Sequence, residues 1–262
     1  MGSSDFYGVF PYLVWPIDEA GEATTAGEIS GPIRTTRSMS AANHPLSEDE
    51  RSRIRASIGK VTRVAATRLG EAGDAATAVA FIADLHRDID QVVRVTQARG
   101  AALDCKALCA HCCSVRVEAT APESFHIART IGARPAADVA AVRRRLEEHH
   151  AVARDGTPPL RSPCAFLEDN LCSIYAVRPA VCRKAHSLSV ARCEEFAPEI
   201  PQTLDLLIAA ETLMQGTADA YRERGLDVSA QELCAAVLAA LRDPDAEARW
   251  FRGEAVFADR CP

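Results

Sequence analysis

The amino-acid sequence predicts a mostly α fold, in which a helical domain carries one irregular, cysteine-rich segment. Apolar residues recur at spacings of three and four in several long segments, as they do along one face of a helix. Three Ser/Thr-x-x-Glu patterns stand where such segments begin, and this capping box opens helices. The period-two alternation of a half-buried β-strand is absent. We therefore expect helices packed on helices around a core.

The capping boxes and the helical periods together set the expected elements in chain order. Gly100 is expected to end the second helix, since glycine favours the position after a helix. The capping-box pairs are Ser47 with Glu50, Thr120 with Glu123 and Ser229 with Glu232. The predicted helices cover residues 47–69, 74–99, 120–131, 136–153, 204–224 and 229–241.

Two parts of the chain do not fit a helix. Residues 156–200 contain repeated prolines, which break helical periodicity, so this stretch needs some other source of order. Residues 1–45 carry aromatics without a period, followed by Gly, Thr and Ser, and we expect a poorly ordered N-terminal extension. The first 38 residues either belong to the protein or are upstream sequence read in from a wrongly chosen start. Residues 46–262 are expected to form a single helical domain.

Composition narrows the classes of function. The chain has 262 residues, of which 48% are hydrophobic and 25% charged, as in ordinary globular proteins. Its formal charge of -6 argues against a broad basic surface for nucleic acid or for anionic lipid. We see neither a secretory signal nor an apolar run long enough to span a membrane, so we expect no membrane association and a cytoplasmic location.

Ten cysteines are the most informative feature of the composition. In a reducing compartment, clustered cysteines indicate metal ligands or redox groups more often than disulfides. Seven of the ten fall into two clusters, and these seven are the predicted metal ligands: Cys105, Cys109, Cys112, Cys113, Cys164, Cys172 and Cys182. The predicted metal-binding region spans residues 105–193.

The first cluster, CKALCAHCC, would place its four cysteines on one face of a helix. Such a stripe is about 12 Å long, whereas two sulfurs on one tetrahedral zinc lie only about 3.8 Å apart. One zinc therefore cannot hold all four on a regular helix. Either the segment unwinds, or two metals share the four, or one metal and a polynuclear cluster share them.

The second cluster lies in the proline-interrupted stretch, and Cys193 follows it without an assigned role. Basic residues near these cysteines are expected to balance the thiolate charge, namely Arg161, Arg178, Arg183 and Lys184. Cys234 is predicted to be a buried apolar residue on a helix face, and Cys261 an uninvolved surface thiol.

The two clusters resemble the YkgJ-type cysteine-cluster family, whose members are described as chelators of zinc or iron. Flagellin lysine N-methylases carry a similar cluster, so the resemblance implies metal binding more firmly than any one activity. Ile174, Tyr175 and Pro179 look like packing and turn residues, and Glu123 is explained by its capping box. His111 and His186 stand where this chain departs from the family pattern, which makes them candidate extra ligands, although each is more often a surface histidine or one that supports a ligand through a hydrogen bond. The matching residues are Cys105, Cys109, Cys112, Cys113, Pro163, Cys164, Leu167, Cys172, Ile174, Tyr175, Arg178, Pro179, Cys182 and Arg183.

Three hypotheses about function follow. The first is a metal-binding protein that holds zinc or an iron-sulfur centre, and of these two the cysteine spacing favours iron. The second is a metalloenzyme that carries out redox or group-transfer modification of a protein or peptide. The third is a thiol redox sensor, in which exposed cysteines pair reversibly. The sequence leaves the oligomeric state open.

Overall fold

The computed structural model describes residues 46–154 and 162–257 of the chain, and in these ranges the fold is mostly α. The expectation of a helical fold is thereby confirmed, while the N-terminal residues 1–45 and Cys261 lie outside the described residues. The single-domain assignment stays a prediction. The α-helices are α1 Glu48–Gly70, α2 Ala75–Ala80, α3 Ile82–Ala98, α4 Ala121–Gly132, α5 Ala136–Arg154, α6 Ala180–Lys184, α7 Val190–Glu194, α8 Leu204–Glu223, α9 Leu233–Arg242 and α10 Ala246–Phe251. Short 3-10 helices cover His111–Ser114 and Tyr175–Val177.

The larger apolar core lies between α1, α3 and α8 and reaches α2, the start of α4, and α10. Trp250 and Tyr221 are its largest fully buried side chains. Helix α8 packs closely along α1 at Gly216, where an added Cβ would lie 2.6 Å from both Cβ and Cγ1 of Val61. Only glycine fits this crossing without a shift of the neighbouring helix.

A second core joins α4, α5 and α9 to residues of the cysteine-rich segment. Helix α4 takes part in both cores, since Phe125 faces the larger one and Ile127 and Ile131 face the smaller one. Phe166 and Ile174, which flank the predicted ligand Cys172, are buried in this second core. The cysteine-rich segment is therefore attached to the helices by apolar packing as well as by its polar contacts.

Two of the predicted helices differ from expectation in their bounds. The segment 74–99 forms two helices, α2 and α3, which are separated by Phe81, whose ring contacts Tyr221. The last predicted capping box, Ser229 with Glu232, is wrong. Glu232 itself precedes α9, because residues 231–232 are extended and pair with another strand.

The strands in the described ranges are short. β1 Glu118–Ala119 pairs antiparallel with β4 Gln231–Glu232, and β2 Leu167–Glu168 pairs antiparallel with β3 Leu171–Cys172. Helices α6 and α7 also lie in the stretch that was predicted to be irregular, and each has five residues. Among the described residues, no helix is long and apolar enough to cross a membrane.

Candidate metal centre

The first cysteine cluster does not lie on a regular helix. From Ala101 the backbone has no regular structure until the 3-10 helix His111–Ser114, and Leu108 adopts the left-handed conformation with φ of 69°. Of the alternatives considered for this cluster, the structure therefore shows the unwound segment. The limit that a straight helix sets on the separation of the four sulfurs does not apply here.

A backbone hydrogen bond joins the two clusters. The amide N–H of Cys164 donates to the carbonyl oxygen of Cys113 at 2.8 Å. Cys172 follows on the hairpin β2–β3, whose turn residues Asp169 and Asn170 have φ of 48° and 60°. Two positive φ values are the mark of a type I′ turn, which Asp and Asn accept more readily than most residues. The sequence LEDNLC thus forms a tight hairpin that turns the chain back toward the cluster.

Helix α6 carries Cys182 and is fixed by a buried carboxylate. Glu123 Oε1 accepts a hydrogen bond from the amide N–H of Ala180 at 2.7 Å. Arg183, which is buried, donates to Asp90 Oδ2 at 2.5 Å and to the carbonyl oxygen of Arg178 at 2.9 Å. A five-residue helix has little stability alone, so these contacts hold Cys182 in place.

Four of the predicted ligands form a group that we call the inner thiols, namely Cys113, Cys164, Cys172 and Cys182. Burial raises the pKa of the Cys182 thiol to about 12, and the charges of Cys164, Cys112 and Cys172 add to this rise. The pKa of Cys172 is also raised, first by burial and then by Cys164. A hydrogen bond from Cys112 lowers the pKa of Cys113, while the other three inner thiols act against it. These mutual effects show that both halves of the pattern meet in space.

Cys105, Cys109 and Cys193 form a second group, the outer thiols. The pKa of Cys105 is raised by burial and by the charges of Cys109, Cys112 and Cys193. Asp104 brings them together, because its amide donates to Ser187 O at 2.9 Å and its Oδ2 accepts from the amide of Val190 at 2.9 Å. Helix α7, which carries Cys193, is thereby held beside Cys105. The contact through Asp104 could not be recognised from the sequence, which left the role of Cys193 open.

Cys112 lies between the two groups, since it influences both Cys105 and Cys182. Within the described ranges, however, no three of the predicted ligands bring their sulfur atoms within 4.8 Å of one another. The thiols share one region of the surface at a wider spacing than a single tetrahedral zinc requires.

The basic residues near the cysteines have different roles. Arg178 lowers the pKa of Cys172 against the larger effect of burial, so its charge acts on the thiols. Arg183 is engaged by Asp90 and by backbone carbonyls, and Lys184 pairs with Glu211. Arg161 lies outside the described residues. Among the described basic residues predicted to balance the thiolates, Arg178 is the one with a visible effect on them.

The two candidate histidines differ. His186 Nδ1 pairs with the carbonyl oxygen of Lys184 at 2.8 Å, and Nε2 accepts the amide N–H of Thr203 at 2.8 Å. Both ring nitrogens are thus occupied by the backbone, and His186 fastens the loop before α8 instead of offering a ligand atom. His111 Nε2 lies 3.7 Å from Glu194 Oε1, beside the outer thiols.

The remaining residues of the pattern are also placed. Ile174 is buried, as expected for a packing residue, whereas Tyr175 is 64% exposed with the Arg178 guanidinium 3.8 Å above its ring. Glu123 forms the predicted capping box with Thr120. Its Oε1 also lies 3.3 Å from His86 Nε2, a contact that the sequence did not predict. Cys234 is 2% exposed in the second core, as predicted.

No curated protein and no solved structure matched the chain. The resemblance noted in the sequence is confirmed over a part of the chain: residues 104–202 match the family model "CxxCxxCC: Putative zinc- or iron-chelating domain".

Proposed function

We propose that residues 105–193 bind zinc or iron through the inner and outer thiols together with Cys112. The observation that carries this proposal is the meeting of thiols from separate stretches of chain, across the hydrogen bond between Cys164 and Cys113. In a reducing compartment, which we propose to be the cytoplasm, such a group favours metal over disulfides. All nine cysteines in the described ranges are free.

The raised pKa values describe the thiols before a metal binds. Burial and the neighbouring cysteines raise the pKa of groups such as Cys182, so these thiols keep their protons near neutral pH in the absence of metal. A divalent ion reverses this preference, because it binds the thiolate and displaces the proton to solvent. The free energy of metal binding then becomes free energy of folding for the segments that carry the thiols.

The number of thiols favours more than one centre. Four ligands saturate a structural zinc or a [4Fe-4S] cluster, whereas eight thiols lie in the inner and outer groups with Cys112. The wide spacing of the sulfurs suits a polynuclear cluster or two ions better than one closed zinc. We favour an iron-sulfur centre, and two zinc ions are the alternative.

A second candidate function is that of a metalloenzyme acting on a protein or peptide. Several large apolar side chains close to the thiols in sequence are exposed, where they can contact another polypeptide. Val115 and Tyr175 flank the inner thiols in sequence and are 51% and 64% exposed. Leu108 lies in sequence between two of the outer thiols and is 62% exposed. A peptide substrate would reach the centre across these side chains.

Anaerobic purification followed by metal analysis, a sulfide assay and a visible spectrum tests the proposal. We expect at least one zinc or iron per chain, with loss of that metal in Cys172→Ser. Cys261→Ser, which changes a cysteine outside the pattern, serves as the matched control and should keep the metal. Protein that holds under about 0.2 metal per chain when zinc and iron are supplied would refute metal binding. Reversible disulfides in that protein would support the thiol-sensor hypothesis instead.

A further inference from the structure

A second group of side chains that could hold a metal ion includes none of the cysteines predicted as ligands. His149 of α5, Glu232 of β4 and Cys234 of α9 bring their ligand atoms within 4.8 Å of one another. His149 lies within the matched residues 104–202 but is not part of the cysteine pattern, and Glu232 and Cys234 lie beyond the matched residues. We call this group the α5–α9 trio.

Helix geometry explains why the trio forms. Val142, Leu146 and His149 follow one another at spacings of four and three, so they share one face of α5. Val142 and Leu146 pack in the second core against α9, where Cys234 and Leu238 share a face at a spacing of four. His149 and Cys234 therefore stand at the same end of an otherwise apolar contact between the two helices.

Glu232 is held rigidly at this end. Its Oε1 accepts from the amide N–H of Cys234 at 3.0 Å, and its Oε2 accepts from that of Ala235 at 2.7 Å. The strand pairing of Glu232 with Glu118 fixes its backbone as well. Because each carboxylate oxygen has two lone pairs, both oxygens keep one lone pair for a further partner.

His149 supplies an independent sign of a ligand. Its Nδ1 is buried, and in the described part of the chain it has no hydrogen-bond partner. A buried ring nitrogen without a partner is costly, since it gives up its bond to water without replacement. A metal ion bound to Nδ1 between the three side chains would give this nitrogen the partner that it lacks.

The ligand set identifies the class of ion. Imidazole nitrogen, carboxylate oxygen and thiolate sulfur together are typical of zinc, which prefers four ligands in a tetrahedron. Ligand atoms at zinc bond lengths of about 2.0 to 2.3 Å lie roughly 3.3 to 3.8 Å apart, so the three ligand atoms need to approach one another by at most about 1 to 1.5 Å. Three protein ligands leave the fourth position of the tetrahedron to a water molecule.

We propose that His149, Glu232 and Cys234 form a zinc-type site separate from the proposed thiol centre. On binding, the Cys234 thiol releases its proton to solvent and its sulfur joins the ion. The site would tie α5, β4 and α9 together. It goes beyond the proposed function and shares no ligand with it.

Counting zinc on the full chain, purified anaerobically in zinc-containing medium, tests this site. Native mass spectrometry should show one zinc ion fewer in His149→Ala than in the unchanged protein. His150→Ala is the matched control, because it removes the adjacent histidine of the same helix and should retain every ion. Glu232→Gln should lose the same ion as His149→Ala. Thermal unfolding and circular dichroism confirm that each variant is folded.

The opposite set of variants separates this site from the thiol centre. Cys182→Ser should lose metal from the thiol centre and keep the zinc that depends on His149. If His149→Ala and Glu232→Gln bind as much zinc as the unchanged protein, with affinity within about twofold, the proposed site is wrong. Loss of all metal in His149→Ala would also overturn it, since the two sites would then not be separate. Failure of Cys182→Ser to lose metal would count against the thiol centre alone.

Discussion

Replacing Glu123 by Gln tests how the helical scaffold positions Cys182. Glu123 is 4% exposed, and its two oxygens together have four partners. Oε1 lies 3.3 Å from His86 Nε2 and accepts from the amide N–H of Ala180 at 2.7 Å. Oε2 accepts from the amide N–H and the hydroxyl of Thr120, both at 2.8 Å. The substitution keeps the shape of the side chain and exchanges one acceptor for a donor.

The expected loss follows from this geometry. In either orientation of the Gln amide, its NH₂ group meets a backbone N–H, that of Ala180 or that of Thr120. One buried donor is left without an acceptor, which costs roughly 1 to 3 kcal/mol. The remaining hydrogen bonds are also weaker, because their acceptor is no longer a charged carboxylate. We therefore expect Glu123→Gln to lower the free energy of unfolding by about 3 kcal/mol.

The pKa of Glu123 predicts the pH dependence of this loss. Burial alone would raise its pKa, but the hydrogen bonds from His86, Ala180 and Thr120 hold it below the usual value. A carboxyl with a lowered pKa in the folded state stabilises the fold above its unfolded pKa and loses this contribution as pH falls through the folded pKa. The difference between the two proteins should therefore be full at pH 7 and shrink in acid.

Chemical denaturation of the protein after a chelator has removed its metal measures the free energy of unfolding. Competition with a chelator measures the metal affinity. Glu50→Gln is the matched control, because Glu50 forms the same capping box with Ser47 at the exposed start of α1. An exposed cap should cost about 1 kcal/mol or less and leave metal affinity unchanged. Equal losses in the two variants, with equal metal affinity, would refute the role of Glu123 in positioning α6.

Three further predictions concern the scaffold and the thiol segments. Gly216→Ala should lower the free energy of unfolding by about 1 to 3 kcal/mol, because the added Cβ meets Val61. In urea unfolding, adding Val61→Ala should recover part of that loss, whereas an unchanged stability of Gly216→Ala alone would contradict the close packing of α8 on α1. Burial raises the pKa of Asp88 to about 7, so its contribution to stability should fall as pH rises from about 4 to about 7. Asp88→Asn should then unfold at a higher temperature than the unchanged protein at pH 8 but not at pH 4, and parallel pH profiles would argue against this. Chelation should increase amide exchange more in residues 104–110 than in residues 180–184, and equal protection before and after would contradict metal-dependent order.

Local signals in the sequence were sufficient for most helices. The capping boxes at Ser47 and Thr120 form as expected, because each needs only residues within one turn of the helix. The pattern at Ser229 fails for the opposite reason. Its Glu232 pairs in a strand with Glu118, a residue distant in the chain, and the tertiary contact decides where the helix begins.

The candidate site was predictable in kind and only partly in arrangement. Spacing alone singled out the seven clustered cysteines, and the structure brings cysteines from both clusters together. The position of Cys193 depends on Asp104, and the hydrogen bond that occupies His186 Nε2 comes from Thr203. Neither contact could be predicted from the local sequence pattern. The approach of His149 to Cys234 likewise requires two helices to pack, which no spacing within one helix encodes.

The contacts of the two thiol groups indicate that the protein orders them unequally. Cys182 stands on a helix that is fixed by Glu123 from α4 and by Arg183 on Asp90, all of them partly or fully buried. Cys105 and Cys109 stand in a segment without regular structure, which is attached at Asp104. A metal would therefore find the inner thiols largely in place and would have to draw in the outer ones. Since fixing a segment that lacks regular secondary structure costs conformational entropy, the inner thiols should form the tighter centre.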